Sequence, residues 1–260
     1  MRRLYLILAL LALTPTSAVA DTAQEKGRAI AVEAERRDQG WGDSRADMRM
    51  VLRNRQGETS EREIRVRTLE VAGDGDKSLI IFDHPADVAG TAFLSYTHAT
   101  RPDDQWLYLP ALKRVKRIAS ANKSGPFMGS EFAFEDIASQ EVEKYRYEWL
   151  RDETLDGMEC FVIERIPRYE HSGYTRQVAW IDKQHYQPRK VEYYDRKGAH
   201  LKTLTFHEYE QYHGRYWRAL RMEMVNHQNG KSTTLIWSNY EFGNGFTERD
   251  FDRNALKRVR

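Results

Sequence analysis

The sequence predicts a mainly β protein: one antiparallel sheet that curls on itself, preceded by a single helix. Apolar and charged residues alternate with period two in about a dozen short segments, the pattern of half-buried strands. Glycine, asparagine and aspartate mark many of the joins, with Asp156-Gly157 and Asn229-Gly230 the strongest hairpin signals. A type I′ turn needs two residues with positive φ, which these pairs tolerate. No composition break or linker interrupts residues 21–260, so they are expected to form a single domain.

Residues 1–20 read as a secretory signal: Arg2 and Arg3, an apolar run from Leu4 to Leu13, then Ala18-Val19-Ala20 as the small-x-small cleavage pattern. The run is shorter than the about 20 apolar residues a spanning helix needs. Cleavage is expected after Ala20, with the periplasm as destination. In residues 22–38, Ala23, Gly27, Ile30, Ala31 and Ala34 recur at helical spacing, and Gly40-Trp41-Gly42 ends that helix. In 44–53, Ala46, Met48, Met50 and Leu52 share one strand face. In 60–71, Ile64 and Val66 alternate with Glu63, Arg65 and Arg67. Further strand candidates span 77–83, 91–98, 105–109, 112–118, 145–153, 159–166, 174–182, 188–195, 200–210, 215–226 and 231–241. Such long strands suit a tall, strongly curved sheet.

Residues 120–138 break the alternation. Ser124-Gly125-Pro126 forces a loop, and Ser130 is expected to cap a short helix with Glu131 in its first turn. The stretch carries Phe127, Met128, Phe132 and Phe134. A loop this apolar needs a partner, and the open end of the curled sheet is the expected one, with the segment acting as a lid that swings when cargo enters.

Composition excludes several classes. Removing Arg2 and Arg3 from 41 basic residues leaves 39 against 39 acidic ones, a neutral balance unlike a nucleic-acid binder's. A hydrophobic share of 40% with 12% aromatic excludes a disordered chain. One cysteine, Cys160, excludes a disulfide scaffold and a thiolate-rich metal site; it reads as a small buried hydrophobe. Mean hydropathy of −0.75 excludes a helical membrane protein. The eight histidines form no helical zinc-ligand pair, and neither a nucleophile elbow nor a phosphate-binding glycine loop occurs. No enzyme activity, metal or cofactor is expected.

Apolar side chains remain as the candidate site. Met48 and Met50 share a face of one strand; Met222 and Met224 continue from Leu220 on another. Methionine conforms to ligands of variable shape, although it also fills gaps in ordinary cores. Val66, Phe82, Trp106 and Tyr108 complete the expected wall. The Lys113-Arg114-Val115-Lys116-Arg117 run suits lipid phosphates or an acidic partner, and equally a solvated strand face.

Trp106-Leu107-Tyr108-Leu109-Pro110, the basic run after it, and Phe127-Met128-Gly129-Ser130-Glu131-Phe132 with Glu135-Asp136 resemble the outer-membrane lipoprotein-sorting (LolA-like) proteins. The resemblance is to the branch associated with resistance-nodulation-division exporters. It implies a single unclosed antiparallel β-barrel of about 11 strands with an N-terminal helix, a short helical lid and a cavity for acyl chains. It implies a carrier, expected to be monomeric, that moves a lipid or lipoprotein between an inner-membrane exporter and an outer-membrane acceptor. The alternatives are a β-barrel binding module without carrier activity, in the outer membrane or the periplasm, and a lipid-modifying enzyme. Charged outward positions such as Glu61, Glu63, Arg65 and Arg67 oppose a membrane-embedded barrel.

Overall fold

The computed structural model describes residues 16–257. The apolar run Leu4 to Leu13 expected to serve as a signal lies outside the described residues. Helix α1 (Thr16–Asp38) ends where the glycines predict. The strands are β1 (Asp43–Arg53), β2 (Thr59–Leu69), β3 (Lys77–His84), β4 (Ala92–Tyr96), β5 (Asp104–Leu109), β6 (Arg114–Arg117), β7 (Tyr145–Leu155), β8 (Met158–Pro167), β9 (Tyr174–Asp182), β10 (Pro188–Asp195), β11 (His200–Tyr212), β12 (Tyr216–Asn226) and β13 (Ser232–Phe242). Between β6 and β7 lie several 3-10 turns and the short helix α2 (Phe134–Ile137).

All 13 strands join one sheet in the order β6-β5-β4-β3-β2-β1-β13-β12-β11-β10-β9-β8-β7. Every neighbouring pair is antiparallel. Strands β6 and β7 are the edges and do not pair with each other, so the curled sheet is unclosed. The count exceeds the about 11 expected from the resemblance to such barrels. The chain enters mid-sheet, runs to the β6 edge, crosses to the β7 edge and returns to the middle. Among the described residues only β1 and β13 pair across a long sequence separation; all other ladders join consecutive strands.

Alternation sorts the side chains into two surfaces. The inward surface forms the main core, with Met48 and Met50 of β1, Ile64 and Val66 of β2, Phe82 of β3, Phe93 of β4, Ile163 of β8, Met224 of β12 and Leu235 of β13. Helix α1 adds Ile30 to this core. It approaches β7 so closely that a Cβ on Gly27 would lie 2.7 Å from the Glu148 carbonyl carbon and the Trp149 nitrogen. Two smaller clusters occupy the outward surface. One packs Leu79, Ile81 and Leu94 under Phe251 and Leu256 of the C-terminal turns. The other joins Cys160, Val162, Val178 and Trp180.

The β7–β8 turn takes the two-residue form its sequence predicts, whereas Asn229 does not take positive φ and the β12–β13 turn is a four-residue loop, 227–230, closed by the Asn226 amide donating to the Lys231 carbonyl at 2.9 Å. Asp156 and Gly157 both take positive φ, 49° and 80°, in the β7–β8 turn. Gly230 at φ 71° closes the β12–β13 turn, a conformation that costs a Cβ-bearing residue about 1 kcal/mol or more.

Candidate functional site

The concave interior is filled by the segment that crosses between the sheet edges. Phe127 is 0% exposed and Phe132 1%. The Phe127 ring lies 5.2 Å from that of Phe93, 5.4 Å from Phe134 and 6.0 Å from Phe82. Met128 and Phe134 pack at the margin of the same core. Burying one such ring stabilises by roughly 1.5–3 kcal/mol, so the segment plugs the interior with its aromatic underside.

Polar groups fasten the plug. Lys202 of β11 points inward, 4% exposed at its side chain, and its Nζ donates to Asp136 Oδ2 at 2.7 Å and to the Glu131 carbonyl at 2.8 Å. The Tyr174 hydroxyl also donates to Asp136, at 2.9 Å. Asn226 donates to Glu131 Oε2 at 2.7 Å, and the Glu131 amide donates to Thr233 at 3.0 Å. Arg62 of β2 donates to the Met128 carbonyl, and burial pulls its guanidinium pKa down. The Glu135 carboxylate accepts from the Tyr169 and Ser172 hydroxyls and the Gly173 amide. Burial, seconded by the neighbouring Asp136 charge, still raises its pKa. These bonds come from both halves of the sheet and none is part of a strand ladder.

Ser130 does not cap the helix as expected. Its hydroxyl donates to the Phe127 carbonyl at 2.7 Å and accepts from the Phe132 amide at 3.2 Å. The helix starts instead at Phe134, where Asp136 accepts from the Ala133 amide at 2.7 Å. Phe132 therefore precedes the helix, held by the pairing of the Phe127 amide with its carbonyl at 2.6 Å.

Of the predicted wall residues, Met48, Met50, Val66, Phe82 and Met224 meet in the core with Phe127 and Phe132, and Met222 packs beside them. Leu220 shares the Met222 side of β12 but stays half-buried outside that cluster. Trp106 and Tyr108 face the other way. Leu107 is the inward residue of β5, opposite Phe93, while both aromatics pack outside against the cluster containing Phe251 and Leu256. The C-terminal turns cover that outer surface, with the Tyr96 hydroxyl donating to the Phe251 carbonyl, so aromatic residues are apolar on the outside here. Sequence reasoning missed the inward polar residues Arg62, Arg165, Gln177 and Lys202, because a charge on an alternating strand reads as solvent-facing. The acidic Glu131, Glu135 and Asp136 within an otherwise apolar stretch were the available signal.

Two cavities adjoin the plugged interior. A cleft of about 730 Å³ lies where the chain leaves β6 and enters β7, lined by Arg101, Asp103, Lys123, Glu135, Lys144, Tyr145 and Tyr169 among others. Within it Asp103 binds Lys144 at 2.6 Å and Lys123 at 3.5 Å. A smaller space of about 220 Å³ lies between the end of α1 and the sheet, lined by Trp41, Ala46, Val66, Arg218, Trp237 and Tyr240. Among the described residues no cluster of His, Cys, Asp or Glu is placed to hold a metal ion, and no helix is long and apolar enough to cross a membrane.

Solved structures share this fold. A domain from Vibrio parahaemolyticus named for outer membrane lipoprotein sorting is 61% identical, covering 90% of this chain and 99% of that one, with a TM-score of 0.89. This chain belongs to the outer-membrane lipoprotein-sorting, LolA-like family. A DUF1329 family protein from Desulfovibrio piger is 32% identical over 90% of this chain and 99% of that one, with a TM-score of 0.85. A LolA superfamily protein from Nitrosomonas europaea shares the fold at 19% identity and a TM-score of 0.68, over 90% and 98% of the two chains. A family model described as an uncharacterized protein matches residues 74–258. A search of curated proteins returned no match. The LolA-like fold supports a lipid- or lipoprotein-binding, carrier-like role.

Proposed function

We propose that this protein is a periplasmic carrier that holds the acyl chains of a lipid or lipoprotein inside the curled sheet and moves them between the inner and outer membranes. An inner-membrane exporter would supply the cargo and an outer-membrane acceptor would receive it. The observation that carries this reading is the plug. Phe127, Phe132 and Phe134 occupy apolar volume between Met50, Phe82 and Phe93, yet side-chain contacts rather than strand pairing hold them there. An acyl chain entering that volume replaces one apolar surface by another, so the exchange costs little hydrophobic free energy. Met48, Met50, Met222 and Met224 give the wall the pliancy to take chains of different shape. The small space beside Trp41 and Val66 extends the same inner wall. The mature carrier in this reading is a monomer, one domain from Asp21 onward, and performs no covalent chemistry.

Native mass spectrometry of protein purified from periplasm without detergent tests the proposal. Adducts with the mass of an acylated lipid or lipoprotein, lost on replacing Met224 by Asp in a folded variant, are the expected result. Protein that never carries an acylated species, even after incubation with lipid vesicles, would overturn it.

A further inference from the structure

Among the described residues, four inward side chains carry a buried polar atom without a hydrogen-bond partner: Gln105, Arg165, Gln177 and Trp237. Only Arg165 of β8 and Gln177 of β9 are adjacent in the sheet, as cross-strand neighbours. They lie in an inward row that runs Tyr147, Arg165, Gln177, Tyr193, Lys202, with each residue paired in register to the next. Lys202 is satisfied by Asp136, and Tyr147 and Tyr193 pack into the core. The Arg165 Nε and the Gln177 Oε1, by contrast, are both buried without a hydrogen-bond partner. The Arg165 guanidinium sits over the Tyr145 ring, 5.6 Å from its centroid, and among the described residues no carboxylate pairs with it. Gln177 is buried, and the residues flanking it in the row are tyrosine and arginine.

Arg165 is half-buried, so its guanidinium keeps some access to water, but its inaccessible Nε has lost a hydrogen bond that only a bound group could restore. Nearly all buried polar groups in folded proteins are satisfied, so orphans on one spot call for an account. Lys202, three strands from Arg165, shows what compensation looks like in this interior: a carboxylate and a carbonyl within hydrogen-bond reach. Arg165 lies on the same inward row, less deeply buried than Lys202 and without the carboxylate. We infer that Arg165 and Gln177 form an anchor for the head of the bound amphiphile, and that the head carries an oxyanion, carboxylate or phosphate, next to its acyl chain. The guanidinium fork matches either oxyanion. The Gln177 carboxamide complements a neighbouring hydroxyl through its oxygen or, after a half-turn, the oxyanion through its NH2. The acyl chain then runs along the Ile163, Ala179 and Ile181 side of the interior. This inference rests on the carrier reading and adds to it a class of cargo and the point where its head is held.

Binding of the fluorescent fatty acid cis-parinaric acid and of its methyl ester separates head from chain, with lysophosphatidic acid and monoacylglycerol as competing probes. The parent protein is expected to bind each oxyanion-headed amphiphile at least tenfold more tightly than its neutral counterpart. Arg165→Met should abolish that preference while leaving ester binding within twofold, and Arg165→Lys should keep part of it. Because the removed charge has no internal partner, Arg165→Met should also melt no lower than the parent without ligand. A preference for the acid alone assigns a carboxylate head, and for lysophosphatidic acid alone a phosphate head. Equal binding of acid and ester by the parent, or an unaltered preference in Arg165→Met, overturns the anchor. Should that variant fail to fold, Gln177→Met and Arg165→Lys are read for the same head preference, and an unaltered preference in both overturns it. Failure of the folded parent to bind any of the four amphiphiles overturns the carrier reading itself.

Discussion

Replacing Lys202 by Met removes one partner of a pair in which both side chains are nearly inaccessible, 4% and 3% exposed. Asp136 then remains buried with its charge opposed only by dipoles, the Tyr174 hydroxyl and the Ala133 amide. Breaking such a pair costs about 3–5 kcal/mol, and the two remaining donors place this case near the low end. The pair joins the plug to the sheet, so the loss falls on plug retention. About 3 kcal/mol is roughly a hundredfold in the opening equilibrium. Hydrogen exchange reads it directly. The amides of Phe127, Phe134 and Glu135 bond only within the crossover segment, to the carbonyls of Phe132, Gly125 and Lys123. They should exchange about a hundredfold faster in Lys202→Met, while amides in the β1–β2 ladder change little. Adding Asp136→Asn to Lys202→Met removes the stranded charge, so the double variant should exchange more slowly than the single one. Equal acceleration in the segment and in β1–β2 would mean that the pair supports the whole fold, and the reasoning about a detachable plug would fail. No acceleration anywhere would show that the pair holds nothing.

Phe127→Ala should lower stability by about 3–5 kcal/mol, the cost of a fully buried aromatic, measurable as a lowered urea midpoint. A surface lid residue would give a far smaller change. Gly27→Ala should destabilise despite alanine's helix preference of about 1 kcal/mol, because the new methyl meets the β7 backbone at 2.7 Å; a raised melting temperature would contradict the close packing of α1. Burial raises Asp76 to about 6, and burial together with the Asp76 charge raises Glu141 to about 7. Between the ordinary carboxylate range and those values the folded state holds protons that the unfolded chain has released, so their contribution to stability falls as pH rises from about 4 to about 7. Urea titrations across that window should show Asp76→Asn with Glu141→Gln gaining stability over the parent at pH 8 and not at pH 4.

The strand grammar was readable because each ladder obeys a local rule. Met48 and Met50 alternate with Asp47 and Arg49 whatever lies across the sheet, and Asp156-Gly157 needs no tertiary context to turn. The inside of the barrel was readable where a strand had one apolar face, as in β1 and β2. It was misread in β5, where Trp106 and Tyr108 are apolar outward residues shielded by Phe251 and Leu256, nearly 150 positions away in sequence. No local pattern records such a distant cover. Lys202 and Arg165 were missed for the complementary reason: period two assigns residues to faces but does not say which face is wet. The crossover was rightly singled out by its aromatics. Its depth was not legible, since the same four apolar side chains serve a cap or a plug, and only the register of Phe127 against Phe82 and Phe93 decides.

The course of the chain through the sheet has a mechanical consequence. Among the described residues the crossover is the one covalent tie between the two free edges, running from β6 across the opening to β7. Asp103 adds an ionic tie at the same place by holding Lys123 at one end of the crossover and Lys144 at the other. Spreading the edges therefore draws on the strap that carries Phe127 and Phe132, and withdrawing those rings slackens the strap and frees the edges to part. Gap width and plug depth are in this sense a single coordinate, and a bulky cargo that forces one sets the other.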